Sequence, residues 1–234
     1  MLEALGVSRR YGWRWALKDL NLSVSPGETL ALLGKNGSGK TTLLKTFAGL
    51  LMPTEGTVRV GGEPISREAK GGIGLLTHEP MLYAGLTIRE NLGYFAKLFG
   101  MESGDISGRV ELLAETLGIT DRLAEPVRVL SQGLRQRASL ARALLHDPEV
   151  VLLDEPFSGL DPEAAGRLES VVRALCEHHA RIVVFTTHDL SKAFDMAGRI
   201  AVLGGGRLAY EGNADNSKEE ELLAAFDEAS EGPA

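Results

Sequence analysis

The stretch Leu30-Ala31-Leu32-Leu33-Gly34-Lys35-Asn36-Gly37-Ser38-Gly39-Lys40-Thr41-Thr42 decides how the rest of the chain reads. An apolar run enters Gly34, and the residues from Gly34 to Thr41 fit the spacing G-x-x-x-x-G-K-[ST]. Leu43, Leu44 and Phe47 follow at helical spacing. A buried strand, a glycine loop and a helix N-terminus thus come in the order of a P-loop. Glycines let backbone N–H groups turn inward toward phosphate oxygens with no Cβ in the way. The helix start adds unpaired N–H groups and the positive end of its dipole. Lys40 supplies a point charge for the β- and γ-phosphates, and the Thr41 hydroxyl is a candidate Mg²⁺ ligand.

Working outward, Leu2 to Val24 is strand-like, and Ser25-Pro26-Gly27 turns into the P-loop strand. Thr57–Val60 with Gly61-Gly62 reads as another strand and turn, so an antiparallel lobe is expected beside the P-loop core. Ile73–Leu76 is a short core strand that ends at His78-Glu79-Pro80. From Thr87 to about Leu117 the period becomes helical, in two stripes separated by Gly100–Gly108. Leu130-Ser131-Gln132-Gly133 opens a further helix that Pro148 stops. Val150–Leu153 is a continuous apolar run, the mark of a strand buried on both faces. Glu163–His179 and Leu190–Met196 read as helices, and Ile182–Phe185 as a strand. Arg199–Leu203 and Arg207–Tyr210 form a closing hairpin across Gly204-Gly205-Gly206. From Lys218 a short surface helix with Leu222, Leu223 and Phe226 on one face is expected among glutamates. The fold class is α/β: a mostly parallel P-loop core with an N-terminal antiparallel lobe and a helical insert at about 87–148. Residues 1–214 read as one domain and 215–234 as an acidic helix and tail.

Composition narrows the partners. Hydrophobic residues are 44% and charged residues 24%, ordinary for a chain that buries a core. A formal net charge of −7 argues against binding nucleic acid by general phosphate neutralisation, but not against a local nucleotide site. The single cysteine, Cys176, excludes an internal disulfide. No apolar run reaches the roughly 20 residues of a membrane span, and no signal-peptide pattern opens the chain. The expected location is therefore cytoplasmic, with any membrane work done through another protein.

Asp154-Glu155, at the exit of the Val150–Leu153 strand, is the acidic pair a P-loop needs. One carboxylate can hold the Mg²⁺ shell and the next can take a proton from an attacking water. Ser131 and Gly133 form either a second anion-seeking helix start or an ordinary capped helix. His188 stands at a strand's C-terminal end, where α/β sheets place ligands, or is simply structural. Asp161, before Pro162, reads equally as a helix-capping acid.

Taken in order, the P-loop, Leu130-Ser131-Gln132-Gly133, Val150 to Pro156, Ser158-Gly159-Leu160-Asp161 and Thr186-Thr187-His188-Asp189 closely resemble the nucleotide-binding subunit of ATP-binding-cassette (ABC) transporters. The resemblance runs from Tyr11 to about Gly212. It implies that Gly34 to Thr42 is the Walker A loop, with Asn36, Gly37, Ser38, Gly39, Lys40 and Thr42 on the phosphates of ATP. Thr41 and Asp154 then hold Mg²⁺, and Glu155 is the catalytic base. Ser131 and Gly133 belong to the signature motif, Asp161 to the D-loop, and His188 is the switch histidine at the γ-phosphate. Tyr11, or else Trp13, stacks on adenine. Two copies are expected to dock head to tail, each ATP lying between one P-loop and the other chain's signature helix. A membrane permease is expected to dock near 78–91.

Two positions depart from the family pattern. LSGGQ reads LSQGL here, with Gln132 in place of the first glycine. The glutamine that usually reaches Mg²⁺ and the attacking water is His78, which makes His78 a candidate for both catalysis and metal binding, with Glu79 as its alternative. An imidazole cannot copy an amide's paired oxygen and NH₂. With the HEPMLYAGLTIRENL that begins at His78, this histidine is similar to the ATPase subunit of the haem exporter of cytochrome c maturation. Exporters of drugs, lipids or polysaccharides share most of these words. A soluble ABC-type ATPase of a cytosolic assembly machine, such as iron–sulfur cluster assembly, is the competing reading.

Overall fold

Two long strands, β1 (Leu2–Tyr11) and β2 (Arg14–Val24), pair antiparallel around the Gly12-Trp13 turn. The structure is a computed structural model that describes residues 1–66, 71–160, 162–177, 180–214 and 219–231; side chains at 162–164, 219 and 227–231 fall outside that description. The P-loop strand β3 (Thr29–Leu33) leads into helix α1 (Lys40–Phe47). Then come β4 (Glu55–Val60), the two-residue β5 (Glu63–Pro64) and β6 (Ile73–Leu76). The helical insert holds α2 (Ile88–Leu98), α3 (Ser103–Thr116) and α4 (Gln132–Leu144), with two short 3₁₀ turns before α4. Strand β7 (Val150–Leu153), helix α5 (Pro162–Cys176), β8 (Ile182–Thr186) and α6 (Leu190–Met196) follow. The hairpin β9 (Arg199–Gly204) and β10 (Arg207–Asn213) precedes α7 (Glu219–Glu231).

The strands form two sheets. One runs β2-β1-β4-β5 and is antiparallel; the other runs β10-β9-β3-β8-β7-β6, with β10 alone antiparallel. The apolar runs of β3, β6, β7 and β8 are buried throughout, because packed layers cover both faces of the larger sheet. Alternation sorts their side chains. Ala31, Leu33, Leu153 and Phe185 face the helical insert, α5 and α6, whereas Leu30, Leu32, Leu152 and Val184 face α1 and the antiparallel lobe. The C-terminal ends of β3, β7 and β8 therefore meet at one edge between these layers, and that edge carries the P-loop and the acidic pair.

Local signals set the helix starts. Thr87 and Glu90 form a reciprocal capping box at α2. Ser131 caps α4 by accepting the Leu134 N–H at 3.3 Å. The break expected at Gly100–Gly108 is much shorter, since α3 already begins at Ser103; Gly104 and Gly108 are tolerated inside it with open space where a Cβ would stand. Helix α5 is described only to Cys176, and His179 lies outside the described residues. In α7, Leu222 is buried and Phe226 packs against the core, four residues apart on one face, while Leu223 points to solvent. Lys218 lies outside the described residues. No helix among the described residues is long and apolar enough to cross a membrane.

Candidate functional site

Close approach shapes the loop between β3 and α1. Gly39 has φ +113, and a Cβ there would come within 2.6 Å of the Ala16 carbonyl, so the position needs glycine. Lys40 Nζ folds back to donate to Gly34 O at 2.5 Å and to Lys35 O at 3.3 Å. Ser38 Oγ is buried with no hydrogen-bond partner among the described residues. A cleft of about 310 Å³ opens over this loop. Its lining is Lys35, Asn36, Gly37, Gly39, Lys40, Thr41 and Thr42, with Asp154 and Glu155 from the end of β7, and Tyr11, Arg14 and Ala16 from the first hairpin.

The acidic pair is tied in tightly. Asp154 is buried and accepts from Thr41 Oγ1 at 2.8 Å on Oδ2 and from Thr186 Oγ1 at 2.9 Å on Oδ1. Glu155 takes the left-handed φ of +46, and its N–H donates to Thr186 Oγ1 at 2.7 Å. Its carboxylate lies 3.0 Å from His188 Nδ1 and 3.9 Å from Lys40 Nζ. Burial pushes the Lys40 pKa down, while the negative charges of Glu155 and then Asp154 push it back up.

The donor set fits Mg²⁺ and triphosphate. Thr41 and Asp154 place two hard oxygen ligands side by side, the chemistry Mg²⁺ prefers. No group of three or more His, Cys, Asp or Glu among the described residues could hold a metal alone. The remaining ligands would thus be phosphate oxygens and water, which Mg²⁺ keeps readily.

The structure brings most of the expected residues together and leaves some apart. Tyr11 lines the cleft under the Arg9 guanidinium, 5.0 Å from its ring centroid, whereas Trp13 at the turn is fully exposed and off the lining. Gly34 and Ser38 belong to the loop without lining the cleft. His188 reaches the site through Glu155. His78 and Glu79, just beyond β6, are exposed and do not line it. Ser131 and Gly133, at the start of α4, also stand off the cleft of their own chain. Asp161 lies outside the described residues. The Gln132 amide occupies the space that a Cβ at Gly159 would need, and Gln136 Nε2 donates to Pro156 O at 3.3 Å. One face of α4 therefore rests on the loop that follows Glu155.

Arg14, Ala16 and Thr186 escaped the sequence analysis. Arg14 lines the cleft, near Gly37, and shares a strand face with Ala16; the two-residue alternation of β2 was the available signal. Thr186 could not be told from Thr187 until the register of β7 against β8 placed it beside Asp154.

Known proteins resemble this chain in sequence and in fold. A family model described as ABC transporter matches residues 17–158. The sulfate/thiosulfate import ATP-binding protein CysA of Mycobacterium bovis is 38% identical over 88% of this chain and 60% of its own length. The Nod factor export ATP-binding protein I of Paraburkholderia xenovorans is 36% identical over 88% of this chain and 68% of its own. The dimeric, post-hydrolysis structure of the ATP-binding cassette MJ0796 bound to ADP and Pi superposes with a TM-score of 0.84 at 27% identity, covering 92% of this chain and all of that one. On the match of its family model and the length shared with such relatives, this chain belongs to the ABC transporter family, as an ATP-binding subunit and an ATPase.

Proposed function

We propose that this ATPase is the motor subunit of a membrane exporter, in which two copies close head to tail over two ATP molecules and drive a separate integral membrane permease. One observation carries the reading. The P-loop and acidic pair line one cleft, with His188 held against Glu155, while Ser131 and Gly133 are off that lining on the same chain. Each chain thus offers two different half-sites, which a head-to-tail pair would complete.

In this reading Tyr11 stacks on adenine, the Gly34–Thr42 loop wraps the phosphates, and Lys40 leaves Gly34 O for the γ-phosphate. Glu155 takes the proton of the attacking water, His188 turns from Glu155 toward the γ-phosphate, and Ser131, Gly133 and Asp161 close the other copy's site. Thr41 and Asp154 would hold Mg²⁺, with His78 turned in beside them, and the bound ion supplies charge neutralisation at the phosphate oxygens.

The permease surface is proposed at 78–91. Met81 and Tyr83 are exposed there, and Tyr83 packs edge-on against the exposed Tyr94 with ring centroids 5.3 Å apart. Buried Asn91 shapes this loop, accepting from Tyr83 N–H at 2.7 Å and donating to Tyr83 O and Thr87 O. An ordered, exposed apolar patch needs a partner. On this reading the chain works peripherally on the cytoplasmic face of the membrane. Haem for cytochrome c maturation is the proposed cargo, ahead of a drug, lipid or polysaccharide, because of the residues from His78 onward.

The test is a photo-crosslinker at Tyr83 in the tagged chain, expressed in its native host and fractionated. The reading expects ATP hydrolysis by the purified protein and a crosslink to an integral membrane protein recovered only with detergent. A chain found wholly in a soluble complex, crosslinked to soluble partners, would favour cytosolic assembly instead.

A further inference from the structure

Thr186 is the last residue of β8 and is fully buried. Strands β7 and β8 run parallel with Leu153 opposite Phe185, so the next pair outward sets Asp154 beside Thr186. A hydroxyl can donate one hydrogen bond and accept two. Here its proton goes to Asp154 Oδ1 at 2.9 Å, and its oxygen takes the Glu155 N–H at 2.7 Å. Both bonds fall where position matters. The other Asp154 oxygen is held by Thr41, so Asp154 is fixed from both sides. Glu155 has φ +46, a backbone conformation that a residue with a Cβ holds only when its surroundings over-determine it.

We infer that Thr186 is a positioning residue for hydrolysis: its one hydroxyl sets Asp154 and Glu155 relative to each other, and with them the Mg²⁺ ligand and the base. It touches no substrate. Without the hydroxyl, the Glu155 N–H is left unpaired and Asp154 Oδ1 free to turn, so the carboxylates lose their mutual aim while the P-loop is unchanged. The inference rests on Glu155 acting as the base.

The experiment compares wild type, Thr186→Val, Thr186→Ser and Glu155→Gln. Valine keeps the volume and the strand preference but offers no hydrogen bond. Thr186→Val should lower kcat about ten- to hundredfold and raise the Mg²⁺ concentration needed for half-maximal rate, the scale seen when a ligand's supporting bond is removed. ADP binding without Mg²⁺ should stay within about threefold of wild type, since the P-loop is intact. Thr186→Ser, with the hydroxyl restored, should recover most of kcat. Thr186→Ala takes over the same comparison should the valine protein not fold. The inference is overturned if the valine protein keeps kcat within about twofold, if serine is as slow as valine, or if the loss follows weakened ADP binding. Normal hydrolysis by Glu155→Gln would defeat the base assignment; an inactive Glu155→Gln beside an active Thr186→Val would defeat this inference alone.

Discussion

Lys40 folds back onto its own loop. Its ammonium donates to Gly34 O and Lys35 O and lies 3.9 Å from Glu155, the proposed base, so on the proposed reading ATP would draw Lys40 away from that carboxylate. His188 holds the other side of the same carboxylate. His78 is the residue whose role this arrangement leaves most exposed to experiment, since it stands off the cleft lining. If His78 replaces the usual glutamine on closure, His78→Ala should lower the ATPase rate severalfold while His78→Gln keeps most of it. Equal steady-state rates in all three proteins would make the position a bystander. The P-loop and the acidic pair were legible because their chemistry is written in contiguous residues. Thr186 and Arg14 were not, because only sheet register and hairpin pairing bring them to the site. Gln132 was legible as a departure from LSGGQ, but not as the side chain lying against Gly159.

At the scale of elements, the helical insert is anchored to the parallel sheet by the C-terminal end of α4. Arg142 is buried, donates to Leu75 O on β6 and lies over the Phe95 ring of α2, 5.4 Å from its centroid. His146, just beyond α4, stacks on Phe99 with ring centroids 3.9 Å apart. Burial pushes the His146 pKa below its ordinary value. Arg142 and Arg109 push the same way, against the Ile73 backbone and Asp147. The unfolded chain therefore takes up this proton first as pH falls, near the ordinary histidine value of about 6.5. The His146 contribution is intact above that pH and is lost as pH drops below it toward the lowered folded value. Thermal melts of wild type and His146→Leu between about pH 7.5 and 5 should show a steeper acid loss in wild type; parallel curves would contradict this. Strand and helix existence was readable from apolar runs and helical periods. The early start of α3 was not, because Gly104 and Gly108 read as breakers until the space around them is seen.

For the whole molecule, the decisive feature is separation. The cleft at the ends of β3 and β7 and the start of α4 belong to one chain, yet Ser131 does not reach the cleft. No hydrophobic periodicity could show that, since it depends on where the helical insert packs against the sheet. A bulky cation at the start of α4 should block pairing without touching the P-loop. Ser131→Arg is accordingly expected to bind nucleotide as a monomer at wild-type affinity and to stay monomeric with Mg²⁺ and ATP by light scattering. A dimer of normal stability would remove α4 from the shared seam.

The central claim is that ATP is held between two copies and that its hydrolysis parts them. The most direct measurement is the solution mass of Glu155→Gln by size-exclusion chromatography with light scattering, with and without Mg²⁺ and ATP. The account predicts one chain's mass without nucleotide, twice that mass with it, and no phosphate release. A Glu155→Gln protein that binds ATP, fails to hydrolyse it and still elutes at the mass of one chain would contradict the account.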